Sequence, residues 1–152
     1  MNRFYYCEQM ESGWLSSRPI AHRGYNSKDF GDNSLESFTN SINHGYAIVL
    51  DLRYTKDRVP MVIHDDDLFE STGEHVRLSQ LNYSEVKKLT IHATGKSIPS
   101  FKEVLHLVNG KVPLLIEIKS YHIPDSFERN IVNQLDNYDG DFAIQSYSPF
   151  AC

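Results

Sequence analysis

An α/β fold built on parallel strands is the class this sequence predicts, and three observations carry it. Apolar segments of strand length alternate with segments of helical period along most of the chain. Most are closed by a turn or capping residue, with no internal repeat and no linker rich in Pro, Gly and Ser between them. The histidines and interior charges fall at strand ends or late strand positions, where successive βα loops gather an active site.

Taken in order, Pro19 to His22 is a short apolar strand stopped by Gly24. A loop through Gly31 leads to Asn33 or Ser34 as helix cap, and Leu35, Phe38 and Ile42 at helical spacing run to Gly45. Tyr46 to Tyr54 forms a second strand with Asp51 in its middle, Lys56-Asp57 turns the chain, and Val59 to His64 forms a third. Ser84 caps a short helix through Leu89. Pro99-Ser100 opens another from Phe101 to Val108, which Asn109-Gly110 stops. Val112 to Lys119 is the most strand-like segment. Pro124-Asp125 precedes a helix with Phe127, Ile131 and Leu135 on one face, and Phe142 to Ser146 is a last strand.

Composition narrows the function classes. With 152 residues, 40% hydrophobic and 23% charged, the chain has the make-up of one globular domain. The longest apolar runs, such as Val112 to Ile116, fall far short of the roughly 20 residues of a membrane-spanning helix, which speaks against stable membrane insertion. Net charge is -5 without a basic block, so the footprint of a nucleic-acid binder is missing. Cys7 and Cys152 show no metal or redox spacing and read as free thiols. Glu8 and Glu11 interrupt the start of the chain, which therefore lacks the pattern of a signal peptide, and the expected location is cytoplasmic.

Each candidate residue has a chemical and a plain structural meaning. In His22-Arg23-Gly24, the imidazole can serve as general acid or base, Arg23 can grip phosphate oxygens, and Gly24 lets backbone approach closely. A surface turn is the alternative. His64, followed by Asp65-Asp66-Asp67, is a second acid/base candidate or the end of a strand entering a solvated acidic loop. Glu117 and Lys119, two apart, share one strand face while Ile116 and Ile118 point the other way. Within so apolar a strand, such charges must be paired, metal-bound or used. Asp51 poses the same problem, with Arg53 as its expected partner.

The ordered set His-Arg-Gly, Asn-Ser-Leu-Glu-Ser-Phe, Leu-Asp-Leu-Arg-Tyr-Thr-Lys-Asp, Val-Ile-His-Asp, Ile-Pro-Ser-Phe-Lys-Glu-Val-Leu and Pro-Leu-Leu-Ile-Glu-Ile-Lys, from about Pro19 to Ser148, resembles the glycerophosphodiester phosphodiesterase family. The resemblance implies a (βα)8 TIM barrel of the phosphodiesterase type, with residues 1–18 as an N-terminal extension and 19–152 as a partial domain, truncated after about five of the eight strands. It implies hydrolysis of glycerophosphodiesters to an alcohol and sn-glycerol 3-phosphate in lipid head-group metabolism, with a small phosphodiester as substrate. His22 and His64 match the catalytic pair, Arg23 the phosphate-gripping arginine, and Lys119 a lysine near the phosphate. A divalent cation, Ca2+ or Mg2+, would neutralise phosphoryl charge, with Asp51 and Glu117 as ligands and Asp32 in place of a further acidic residue. Val49 stands where the family carries a metal-binding glutamate, so cation binding is expected to be weakened or lost. The alternative is a non-catalytic homologue that binds phosphodiesters or a partner. Unpaired barrel edges would favour self-association.

Overall fold

The computed structural model describes residues 13–26, 30–120 and 126–146. Cys7, Cys152, Pro124-Asp125 and Tyr147-Ser148 lie outside the described residues. The elements are α1 (Trp14–Ser17), β1 (Ile20–His22), α2 (Leu35–His44), β2 (Ala47–Tyr54), β3 (Pro60–Val62), α3 (Phe69–Thr72), a 3-10 turn (Leu78–Gln80), α4 (Tyr83–Val86), α5 (Phe101–Val108), β4 (Leu114–Ile118), α6 (Ser126–Leu135) and β5 (Phe142–Ser146).

Strands β1, β2, β4 and β5 lie side by side in that order, all parallel, and form a βα sheet with half the strands of a closed (βα)8 barrel. Alternation along β2 and β4 sorts their side chains onto two faces. Ile48, Leu50, Leu52, Leu114, Ile116 and Ile118 join the main core, into which α2, α5 and α6 insert the fully buried Phe38, Phe101 and Phe127. Burying each of these rings contributes roughly 1.5–3 kcal/mol. The opposite face presents Val49, Asp51, Leu115 and Glu117, and every candidate on β2 and β4 lies there.

Two caps set helices α2 and α5, which pack on the core side of the sheet. Ser34 and Ser37 bond each other's backbone N–H at the start of α2, and Gly45 at φ 68° ends it. Ser100 and Glu103 do the same for α5, with Lys87 held on the Glu103 carboxylate at 3.0 Å. Burial would raise the Glu103 acid, but the Ser100 backbone N–H and Lys87 hold it below the usual glutamate value.

Three expectations change. The segment ending at His64 is not a member of the parallel series: β3 runs antiparallel to the last residues of β2, with Leu52 opposite Val62 and Tyr54 opposite Pro60. It opens an excursion, residues 59–98, which has its own small core of Met61, Ile63, Leu68, Leu78, Val86, Ile91 and Ile98. Asn82, not Ser84, starts α4, because Asn82 and Glu85 together form a capping box. Asp51 is not paired with Arg53, whose Nε instead donates to the His64 carbonyl at 2.5 Å. Among the described residues, no helix is long and apolar enough to cross a membrane.

Candidate active site

The site grows from the C-terminal end of β1. After His22 the chain turns sharply, with Arg23 at φ 59° and Gly24 at φ 89°. A Cβ on Gly24 would sit 3.0 Å from the Ser37 carbonyl carbon and closer still to its side chain, so the turn accepts only glycine there. The Arg23 N–H donates to the Val49 carbonyl at 2.9 Å, locking the turn to the neighbouring strand.

Asp51 is the centre of the site and is 1% exposed. Its Oδ2 accepts from Asn33 Nδ2 at 2.9 Å and meets Arg23 Nε at 3.3 Å. Its Oδ1 lies 3.3 Å from Lys119 Nζ, a long ionic contact. Asn33 Oδ1 also accepts from the Asp51 backbone N–H at 3.3 Å, so one amide clamps both the side chain and the main chain of Asp51. For Asn33 to do this its backbone enters the left-handed region, at φ 53°. From the sequence Asn33 is a candidate helix cap and nothing more; the signal for a larger part is its place just ahead of the Ser34 cap, beside a strand that buries a carboxylate.

The parallel register sets Asp51 beside Glu117, and Lys119 Nζ donates to Glu117 Oε1 at 2.7 Å. Lys119 is itself buried, its N–H donating to the Leu52 carbonyl at 3.0 Å. Burial alone would depress this ammonium, but the Glu117 hydrogen bond and the charges of Asp51 and Glu117 hold its pKa above the ordinary lysine value. A charge pair of this kind is costly to desolvate and is stable only with good geometry and several partners, which this cluster supplies.

Arg23 also reaches outward, its Nη1 lying 3.2 Å from Asp32 Oδ2. Asp32 is half exposed and is held as well by the Asn26 amide. His64 sits at the end of the antiparallel hairpin, its Nδ1 within 2.8 Å of Asp65 Oδ1. Arg23, Asp32, Asn33, His64 and Asp65 line one cavity of about 320 Å³, which His92 and Glu70 help to close. His22 is exposed and paired in register with Val49, at the rim of the same sheet face. Val49 is nearly buried there and carries no polar atom to the face. The larger groove between α5 and α6, about 560 Å³, is lined by amides and holds none of these residues.

Comparison with known proteins fits this arrangement. The family model described as "Glycerophosphoryl diester phosphodiesterase family" matches residues 22–147. A glycerophosphodiester phosphodiesterase of Caldanaerobacter subterraneus is 35% identical over 109 residues, covering 66% of this chain and 44% of that protein. Bovine glycerophosphodiester phosphodiesterase 1 is 29% identical over 112 residues, 67% of this chain and 34% of its own length. The chain thus spans less than half the length of these relatives. Among solved structures, a glycerophosphodiester phosphodiesterase from Parabacteroides distasonis aligns with TM-score 0.77 and 25% identity, over 89% of this chain and 58% of that one. A phosphodiesterase from Oleispira antarctica, solved with its product sn-glycerol-3-phosphate, aligns with TM-score 0.77 at 23% identity, over 90% and 61%. With the family match running from the first histidine past β5, and the same parallel βα arrangement beneath it, the chain belongs to the glycerophosphoryl diester phosphodiesterase family.

Proposed function

We propose that the chain handles phosphoric diesters of glycerol, hydrolysing them to an alcohol and sn-glycerol 3-phosphate. The observation that carries this is the meeting of Arg23 and His64 in one cavity, with Arg23 anchored on the buried Asp51 that also contacts Lys119. Arg23 and Lys119 supply the positive charge a phosphate oxygen requires, and the anchoring carboxylates aim them without further ordering at the moment of binding. His22 and His64 act as the acid/base pair: one accepts the proton of the attacking hydroxyl or water, the other protonates the departing alcohol, and water supplies the oxygen and hydrogen of the net hydrolysis. Asp65 orients the His64 ring through Nδ1, and Arg53 pins its backbone carbonyl, so both serve as positioning residues. In this reading residues 1–18 are an extension, 19–152 form a partial phosphodiesterase domain, and the chain works in the cytoplasm on small deacylated substrates of lipid head-group metabolism.

The family's divalent cation, Ca2+ or Mg2+, would be held by Asp51 and Glu117, with Asp32 as an outlying third ligand and phosphoryl charge neutralisation as its chemistry. The residues present do not fit it. Lys119 lies between the two carboxylates, Arg23 occupies the other side of Asp51, and Val49 offers no oxygen. Among the described residues no group of three His, Cys, Asp or Glu side chains is placed to hold a metal.

Release of glycerol 3-phosphate from glycerophosphocholine is the test, with His22→Ala and His64→Ala expected to lower turnover by about 10²–10⁴. A folded sample that turns over nothing would reject hydrolysis. It would leave the second reading, a non-catalytic phosphodiester-binding homologue, which Val49 favours. Strands β1 and β5 are the outermost of the parallel series, and pairing of their edges between copies would show as a dimer in light scattering.

A further inference from the structure

We propose that this pocket works without a resident divalent cation and that the Lys119 ammonium, held between Asp51 and Glu117, is its permanent counter-charge. The proposal rests on the phosphodiester reading and specifies how that site meets its anion.

The carboxylates on this sheet face are matched one to one by side-chain cations. Glu117 Oε1 is taken by Lys119 at 2.7 Å, and the same ammonium stands 3.3 Å from Asp51 Oδ1. The other Asp51 oxygen is taken by Asn33 at 2.9 Å and Arg23 at 3.3 Å. Asp32, the next carboxylate outward, is held by Arg23 and Asn26. A hard dication seeks six or more oxygens, and here it would have to settle between two cations for oxygens already in ionic contact with them, Asp51 Oδ1 accepting no hydrogen bond among the described residues and standing 3.3 Å from the Lys119 ammonium.

The places that could relieve this are closed. Backbone bonds fix the starting points of both cations, Arg23 through the Val49 carbonyl and Lys119 through the Leu52 carbonyl. The third position facing the pair is Val49, two residues before Asp51 and in register with His22 and Leu115, whose methyl groups neither ligate nor hold a bridging water. Val49 also withdraws one negative charge from the interior. On the sheet face itself Asp51 and Glu117 are balanced by Arg23 and Lys119, the half-exposed Asp32 adds one negative charge at the outer edge, and an incoming phosphate meets Arg23, which lines the cavity.

Calorimetric titration of the EDTA-stripped full chain with Ca2+ and with Mg2+ tests this, alongside titration with glycerol 3-phosphate in EDTA and in saturating Mg2+. Neither metal should give a one-site isotherm, and glycerol 3-phosphate should bind within about twofold the same in both buffers. Lys119→Met should weaken that binding about tenfold or more, whereas Val49→Glu should create a metal isotherm at least about tenfold tighter than any wild-type heat. If Val49→Glu does not fold, the wild-type titrations still decide. A wild-type metal isotherm abolished by Asp51→Asn, or glycerol 3-phosphate binding that appears only with metal, overturns this proposal alone. Failure of glycerol 3-phosphate to bind in either buffer overturns the phosphodiester reading and this proposal with it.

Discussion

Removing the Lys119 ammonium while leaving its volume, as in Lys119→Met, should destabilise the fold by about 3–5 kcal/mol. At the observed 2.7 Å and 3.3 Å, and an effective dielectric near 20, the two attractions amount to about 6 and about 5 kcal/mol before desolvation is counted. The ammonium is 8% exposed, so little of that is screened by water. The variant gains back the cost of burying one cation but leaves Asp51 and Glu117 side by side across β2 and β4 with Arg23 as the one remaining cation in contact among the described residues. The double variant Lys119→Met/Glu117→Gln removes one charge of each sign and should recover most of the loss. Urea unfolding followed by far-UV circular dichroism measures both, and the cycle isolates the coupling. A loss below about 1 kcal/mol for the single variant, or no recovery in the double, would refute the buried-pair account.

Gly24→Ala should destabilise by more than about 1 kcal/mol and weaken phosphate binding, because φ 89° and the Ser37 backbone at 3.0 Å both oppose a Cβ; thermal melting and glycerol 3-phosphate titration read the two effects. Ser100→Ala should cost about 1 kcal/mol by freeing the Glu103 N–H, again by urea unfolding, with no change in anion affinity. Stability should fall in acid. Glu103 and Asp57 lie below their unfolded values of 4.5 and 3.8, so their contribution is complete above those values and is lost as pH drops through the lower folded ones. Lys119 has the opposite sign: its folded pKa is raised above 10.5, so its contribution is complete below that and is lost only as pH climbs through the folded value. Melting temperature against pH should therefore decline on the acid side well before the alkaline side touches Lys119.

What was legible in the sequence is what is local. Glu117 and Lys119 share a strand face because period-2 geometry spans two residues, and their mutual ion pair follows from that alone. The burial of Ile116 and Ile118 on the helix side follows equally. The partners of Asp51 were not legible, since Asn33 and Lys119 reach it from a helix entrance and from the next parallel strand, while Arg53 was merely near in sequence. The direction of β3 is legible in the length of the turn before it. Only residues 55–59 separate β2 from β3, too few for the crossover of about a dozen residues that a parallel neighbour needs. Membership of the family was carried by the order of the motifs rather than by any one of them, and the match over residues 22–147 bears it out.

Because His64 rides on the antiparallel excursion, the proposed acid/base pair is divided between two separately packed units. His22, Arg23, Asp51 and Lys119 belong to the parallel sheet and its helices, whereas His64 is held by Arg53 and by a core of its own running from Met61 to Ile98. Local opening of that smaller core would withdraw the His64 imidazole and leave the phosphate grip in place. Amides of residues 66–98 should accordingly exchange faster than those of β2 and β4, and the chain should pass through a species that still holds its anion after losing one arm of its chemistry. The same division gives the excursion latitude to change length or composition and reshape the cavity wall at Glu70 and His92 without disturbing the charge cluster beneath it.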